Sequence, residues 1–488
     1  MSQPDLSTPR ARNLALALLA MTQFVVVIDA SIVNVALPSI GRALDFSQND
    51  LSWVVNSYTL TFGGFLLLGG RLADYFGRRR LFMIGMTLFA VASLAGGLAQ
   101  NETWLITARA VQGLGAAITS PAALSIITTT FPEGQERNKA LGIWGAVAGA
   151  GGAAGVLLGG VLTEWAGWEW VLFVNVPIGA FIVWQAPQRL AESTAEEESD
   201  RTLDLPGAIT VSAGAALLVY AMVDAINVGW GSAQTVWRLV GAAALLVTFV
   251  AVELRTRKPL IPFSIFRKRT LRGANLVGVL IGMSLFSMFF LITLYLQQVL
   301  GDSAFEAGLS YLPLAVAIIL AAGAASALVT RLGFKTVLVA GMLLVAIALI
   351  WFSRIDPDGS YVVDVLGPSI LAGVGLGFSF VPVTIAAVTG TEAHEAGLAS
   401  GLINTSQQVG GALGLAILAT IANASTKDAL HAGANAPTAL TDGFADAFTV
   451  GACFALAGAV LAVLLISGRD SAEHAEAARS GELEPVAA

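Results

Sequence analysis

Cysteine is almost absent from this chain: Cys453 is the only one in 488 residues. No internal disulfide and no multi-thiolate metal site can therefore form. Charge is scarce too, at 12% of residues, where soluble domains carry about a quarter. The three histidines, His394, His431 and His474, lie far apart in polar stretches, so no zinc-ligand spacing and no Ser/His/Asp arrangement emerges. No basic patch interleaves with aromatics, which removes the usual footprint of nucleic-acid binding. These absences leave an enzyme, a cofactor site or a metal site without a residue cluster to rest on, and none is expected. What the chain has in excess is apolar surface, with 56% hydrophobic residues and a mean hydropathy of +0.76.

That apolar surface falls into fourteen runs, at roughly 13–37, 51–70, 81–100, 104–130, 140–163, 169–187, 204–226, 239–254, 273–299, 305–330, 336–353, 364–390, 397–423 and 444–467. A bilayer span needs about 20 such residues, so the pattern reads as an all-α integral membrane protein. The first run, Leu14 to Leu37, is too long for a signal-peptide core. An even number of spans puts both termini on one side. Of the 26 Lys and Arg, 21 fall in the N-terminus, the even-numbered loops and the C-terminal tail. Only Arg42, Arg238, Arg354 and Lys427 fall in odd-numbered loops, and Arg109 lies inside a span. This bias predicts a multi-pass protein of the cytoplasmic membrane with both termini cytoplasmic. The basic loop 255–272 is expected along the anionic inner leaflet, in contact with membrane lipids. The acidic stretch in 191–203 reads as a solvated linker and the tail 469–488 as disordered polar chain.

An internal repeat organises the runs. Gly77 precedes the third run and Gly333 the eleventh, 256 positions later, with Thr330 where Asp74 would align. Asp50 and Glu306 open the second and tenth runs at the same offset. Gly113-Leu-Gly115 precedes Pro121 in the fourth run, and Gly375-Leu-Gly377 precedes Pro382 in the twelfth. The first six runs thus pair with the last six in a parallel repeat. This predicts two six-helix bundles, 1–190 and 273–468, a cavity between them, and two inserted helices at 204–254.

Several polar residues stand out against this background. The loop Gly70–Arg80 (GRLADYFGRRR) sets Arg71, Arg78, Arg79 and Arg80 around a single carboxylate, Asp74. Gly70 lets a neighbouring helix approach, and Asp74 can meet a helix N-terminus or pair with an arginine. Asp29 lies deep in the first span, where a carboxylate costs at least ~2.5 kcal/mol and must face the bundle interior or water. Arg109 lies inside the fourth span with Gln112 one turn away on its face. Gly145, Gly149, Gly151, Gly152, Gly155, Gly159 and Gly160 crowd the fifth span, where close packing and a hinge are the expected uses. Residues 149–154 fit G-x-G-x-x-A, but no strand precedes them, so a dinucleotide site is rejected. Asn34, Asn56, Tyr58, Gln112, Trp144, Tyr295, Gln298, Asn404 and Gln408 are candidates to line a substrate cavity or to bond between helices.

The G-x-x-x-D-x-x-G-R-R-R spacing of Gly70–Arg80 resembles the loop 2–3 signature of the major facilitator superfamily. DASIVNVALP (Asp29–Pro38) resembles the first-helix signature of its fourteen-helix drug:proton antiporters, with Ser31 replacing the usual threonine. Arg109-x-x-Gln112-Gly113 resembles the fourth-helix motif that the family associates with proton coupling. The glycine run resembles the antiporter fifth-helix motif, except that Val156 stands where a proline normally follows Gly155. Trp165–Gly179 resembles the family's W-R-W…N-x-P-x-G junction, with Glu169 in the arginine's place; Leu294–Gly301, Glu306–Pro313 and Ala399–Gly414 also match.

The resemblance implies a monomeric exporter that exchanges inward protons for a hydrophobic or amphipathic drug or secondary metabolite. Asp29 would take the proton and Arg109 would tune it. Gly70, Asp74, Gly77, Arg78 and Arg79 would form a cytoplasmic latch. A proton-coupled nutrient symporter of the same fold, or a membrane sensor that has lost transport, are the other readings. The insertion at 204–254 and the near-match of the fifth helix weigh against the first, and the two intramembrane charges against the second.

Overall fold

The computed structural model describes residues 6, 8–46, 51, 53–132, 135–193, 204–256, 259, 261, 263–391 and 396–480. Among them the chain is helical throughout, with no strand. The helices are α1 (Pro9–Ala43), α2 (Trp53–Phe76), α3 (Arg78–Gly97), α4 (Glu102–Thr130), α5 (Gln135–Trp165), α6 (Trp170–Arg189), α7 (Leu205–Val228) and α8 (Ala233–Glu253). After a 3₁₀ turn at Phe263–Arg267 come α9 (Arg269–Leu294), α10 (Phe305–Leu332), α11 (Phe334–Phe352), α12 (Gly367–Val388), α13 (Ala396–His431), α14 (Ala436–Leu465) and α15 (Gly468–Ser480).

Local chemistry fixes where these helices begin. Thr8 caps α1 by accepting from Ala11 N, Asn101 caps α4 from Trp104 N, and Asn435 caps α14 from Thr438 N. Ser303 and Glu306 form a reciprocal capping box at the start of α10. Eleven of the helices are long and apolar enough to cross a membrane, and α5, bent by 43° between Gly152 and Ala154, is a twelfth. α2 and α7 fall outside that group: α2 carries Asn56, Arg71 and Asp74, and the apolar stretch of α7 is Pro206–Met222.

α2 and α3 pack on α4, α1 on α5, and α3 on α6; in the later part α9 packs on α13 and α14, and α10 and α11 on α12. The two sets meet along α5–α10 and α2–α13, while α7 and α8 pair with each other and α7 lies against α2 and α13. Glycines set the closest approaches. A Cβ on Gly113 would sit 2.2 Å from Thr61 Oγ1 and 2.4 Å from the Tyr58 carbonyl. Gly373 has the same relation to Ala317 and the Leu314 carbonyl, which lie 256 positions after Thr61 and Tyr58. Likewise Gly115 packs on Phe89 and Gly85, and Gly375 on Val345 and Gly341. The repeat therefore pairs Gly113 with Gly373 and Gly115 with Gly375, two residues from the pairing expected above. α12 has a third glycine, Gly377, in the same G-x-G-x-G spacing, and matching by sequence slips onto it.

Both described chain ends lie on one face of the molecule. Arg12 pairs with Glu136 at 3.1 Å, and His474 Nε2 lies 3.0 Å from Asn138 Oδ1 two residues further on. The segment after 468 is not disordered through residue 480. It forms α15, because Ser471 Oγ accepts from Lys335 N at 3.0 Å, Asp470 bonds Thr270, and His474 meets the Phe334 ring edge-on. Residues 194–203 and 481–488, and Asp50, lie outside the described residues.

Candidate transport site

Two fully buried charges of opposite sign meet inside the first six helices. Asp29, on α1, has no exposed surface, and neither has Arg109 on α4. Arg109 Nη1 donates to Asp29 Oδ2 at 2.6 Å and to Gln112 Oε1 at 2.7 Å, while its Nε reaches the Val54 carbonyl at 3.0 Å. Gln112 Nε2 donates to the other carboxylate oxygen, Oδ1, at 2.7 Å, and Asn175 Nδ2, from α6, does so at the same distance. Ser93 on α3 accepts from both amides, at 3.1 and 3.0 Å, and donates to the Leu172 carbonyl at 2.8 Å. The Tyr58 ring covers the guanidinium at 4.4 Å, and its hydroxyl bonds the Val26 carbonyl. Five helices thus converge on one carboxylate, which accepts three charge-assisted or amide hydrogen bonds. Removing one partner of such a buried pair costs about 3–5 kcal/mol, because the other charge is left uncompensated.

The second cluster is the corner at Gly77: the stretch expected as a loop, Gly70–Arg80, is instead the end of α2 and the start of α3, with Gly77 alone between them. Asp74 is fully buried, and Arg78, also buried, donates to its Oδ1 from Nε at 3.0 Å and Nη2 at 2.9 Å. The Leu398 backbone N–H, in the first turn of α13, faces the same carboxylate. A Cβ on Gly401 of α13 would lie 3.3 Å from the Leu66 carbonyl and 3.8 Å from Gly70 Cα, so α2 and α13 touch backbone to backbone there. Gly77 has φ +104°, a conformation natural to glycine, and turns the chain directly into α3. Arg79 N donates to Glu192 Oε1 at 3.0 Å and Arg79 Nη1 to the Leu190 carbonyl at 3.1 Å. Glu192, expected in a solvated linker, instead ties the end of α6 to this corner.

The nine residues expected along a cavity are scattered. Tyr58 and Gln112 belong to the packed Asp29 cluster, and Trp144 is buried. Tyr295 is buried with its hydroxyl on the Asp356 carbonyl at 2.7 Å. Asn34 and Gln298 are exposed; the Asn34 amide donates to its own helix at Ala30. Asn56, Asn404 and Gln408 are half-buried, and Asn404 donates to Ser400 of its own helix. A cleft of about 740 Å³ is lined from α1, α5 and α10 by Phe24, Ile143, Val147, Gly151, Ile319 and Gly323, among others, and by none of the nine. On α5 a Cβ at Gly155 would meet Ser31 Oγ at 1.9 Å, one at Gly159 the Ile32 carbonyl at 2.7 Å, and one at Gly145 Val381 at 3.2 Å. Gly149 and Gly160 lie on the same helix. Its bend occurs at Gly152–Ala154 without the proline that Val156 replaces. Polarity and spacing do not single out Asn175, Ser93 or Glu192. The one signal in the sequence is the N-x-P-x-G string that holds Asn175.

A model of the Major Facilitator Superfamily matches residues 19–415. The chain belongs to that superfamily. It is a multi-pass membrane protein of a transporter family, not of an enzyme family. The cephamycin export protein CmcT of Amycolatopsis lactamdurans is 42% identical over 453 residues, 92% of each chain. The puromycin resistance protein pur8 of Streptomyces alboniger is 40% identical over 464 residues, 94% of this chain and 92% of that one. The tetracenomycin C resistance and export protein of Streptomyces glaucescens is 35% identical over 402 residues, 82% of this chain and 74% of its own. Among solved structures, the human organic anion transporter MFSD10 has a TM-score of 0.67 at 15% identity, with 93% of this chain and all of that chain covered. The proton:xylose symporter XylE has a TM-score of 0.65 at 14% identity, over 96% and 99%. These two share the major facilitator fold.

Proposed function

We propose that this major facilitator is a proton-coupled exporter. It exchanges inward protons for hydrophobic or amphipathic antibiotics or secondary metabolites moving outward across the cytoplasmic membrane. The observation that carries this reading is the buried cluster in which Asp29 holds Arg109, Gln112 and Asn175 together. While Asp29 is ionised the pair with Arg109 is neutral overall, and Arg109 Nη1, Gln112 Nε2 and Asn175 Nδ2 all donate to its carboxylate. A proton on Asp29 removes that compensation, frees the guanidinium and loosens α1 from α4 and α6. The protonation state of one atom pair is thereby coupled to how the helices pack. The names of the three relatives given above, a cephamycin export protein, a puromycin resistance protein and a tetracenomycin C resistance and export protein, support the direction and cargo class.

In this reading the chain is a monomer of two six-helix bundles, 1–190 and 273–468. The linker 191–203, the inserted helices 204–254 and the loop 255–272 join them, and the tail 469–488 follows. It has fourteen spans, and both termini are cytoplasmic. Asp74, Arg78, Arg79, Gly70 and Gly77 latch the cytoplasmic ends together, and the α5 glycines let the bundles rock. Purified protein in proteoliposomes with an imposed pH gradient tests the proposal. Addition of a transported antibiotic should dissipate the gradient, and a gradient indifferent to every antibiotic of a broad panel would contradict it.

A further inference from the structure

The cleft between α1, α5 and α10 has a composition that selects its occupant. Its walls are aliphatic and aromatic along most of their length: Phe24 from α1, Ile143 and Val147 from α5, Ile319 and Ala327 from α10. At its mouth, on the face that carries both chain ends, stand Gln135, Glu136 and Lys139. Glu136 is already neutralised by Arg12 at 3.1 Å. Lys139 is exposed and, among the described residues, has no acidic partner. With Glu136 held by Arg12 from outside the cleft, Lys139 is the cation of the lining, at one end of an apolar trough.

The dimensions agree. From Gln135 to Gly151 the trough follows seventeen residues of α5, whose sixteen steps rise about 24 Å at 1.5 Å per residue. Its volume, about 740 Å³, lies in the range of sites that enclose drug-sized molecules. The inner end reaches Phe24, five residues before Asp29 on the same helix, and Gly151, which packs on Val27. On α10, Gly323 faces open space, with no atom within 4 Å of a Cβ built there.

Resting on the exporter reading, we propose that this cleft is the loading site for the cargo and that it selects amphiphiles with one acidic group. The carboxylate or sulfonate meets Lys139 at the mouth, and the apolar body lies along α5 and α10 toward Phe24. Because α5 and α10 belong to the two different halves, an occupant bridges the seam that must open and close during transport.

Binding of 11-(dansylamino)undecanoic acid to the full chain in phosphatidylcholine nanodiscs, read by dansyl fluorescence without a proton gradient, tests this. The acid should bind about fivefold tighter than its methyl ester, the upper end for an exposed ion pair. Lys139→Gln should erase that preference and Lys139→Arg should keep it. Gly323→Phe, which fills open space and leaves the packing intact, should abolish binding of acid and ester alike. Equal affinity of the wild type for acid and ester, an unchanged preference in Lys139→Gln, or unchanged binding by Gly323→Phe would each overturn the proposal. Displacement of the acid by phosphatidylglycerol at a few per cent of the lipid would assign the cleft to membrane lipid and overturn it too. Because no gradient enters the measurement, failure of proton coupling leaves the binding result standing.

Discussion

Replacing Asp74 by asparagine should shift the balance between the two ends of the transporter without unfolding it. The carboxylate does two things at once: its Oδ1 holds Arg78 through two bonds of 3.0 and 2.9 Å within the α2–α3 corner, and it faces the first turn of α13 at Leu398. An amide keeps an acceptor oxygen for Arg78 but loses the charge that favours both contacts. A hydrogen bond to a charged group contributes about 1.5–3 kcal/mol and a neutral one about 1. The contact between halves therefore weakens by about 1 kcal/mol, and the closed state of this face should lose about fivefold in population. Spin labels at Arg80→Cys and Arg331→Cys, both exposed on that face, would report the change by pulsed dipolar spectroscopy in a Cys453→Ser background. Asp74→Asn should add a longer-distance population and lower transport at wild-type abundance. Superimposable distance distributions in the two proteins would refute the reasoning.

Reporter fusions at Glu197 and Arg267 should report cytoplasm, and fusions at Asp302 and Asn435 the outside; a periplasmic signal at Arg267 would break the fourteen-span order. Gly113→Val should cost about 3 kcal/mol or more, because the new atoms collide with Thr61 Oγ1 and the Tyr58 carbonyl. Its yield of folded protein in detergent and its melting temperature should both fall well below those of Ala110→Val, a control at a half-buried position of the same helix. Cysteines placed along 208–222 of α7 in the Cys453→Ser background should not be protected from labelling by substrate, since the inserted helices have no counterpart in the repeat and α7 touches α2 and α13 but lines no part of the cleft described above. Protection along one face of α7 would place it in the pathway.

Charge is the legible part of the site. Asp29 and Arg109 stand out in the sequence because a charge inside an apolar run has few physical excuses, and Gln112 follows from helical spacing. Asn175 and Ser93 do not stand out: small polar residues are common in apolar runs, and only the packing of α3, α4 and α6 brings them to Asp29. Tyr58 and Gln112 look like cavity residues in the sequence because polarity alone does not separate a wet wall from a dry network. The walls of the cleft escape notice for the opposite reason, being apolar like every lipid-facing surface. Glu192 lies in an acidic stretch that looks solvated, and only the fold brings it to Arg79. The order of helices and the repeat are legible from hydropathy and glycine spacing, with a two-residue slip where α12 offers three glycines at alternate positions.

The central claim is that Asp29 carries the transported proton, and substrate-induced proton release from purified protein in weakly buffered detergent tests it most directly. Wild-type protein should release protons when an exported antibiotic binds. Asp29→Asn should bind the same antibiotic measurably and release none, because its amide mimics the protonated acid and has no proton to give up. Asp29→Glu should retain part of the release. Proton release by Asp29→Asn equal to that of the wild type would contradict the account and place the coupling group elsewhere in the chain.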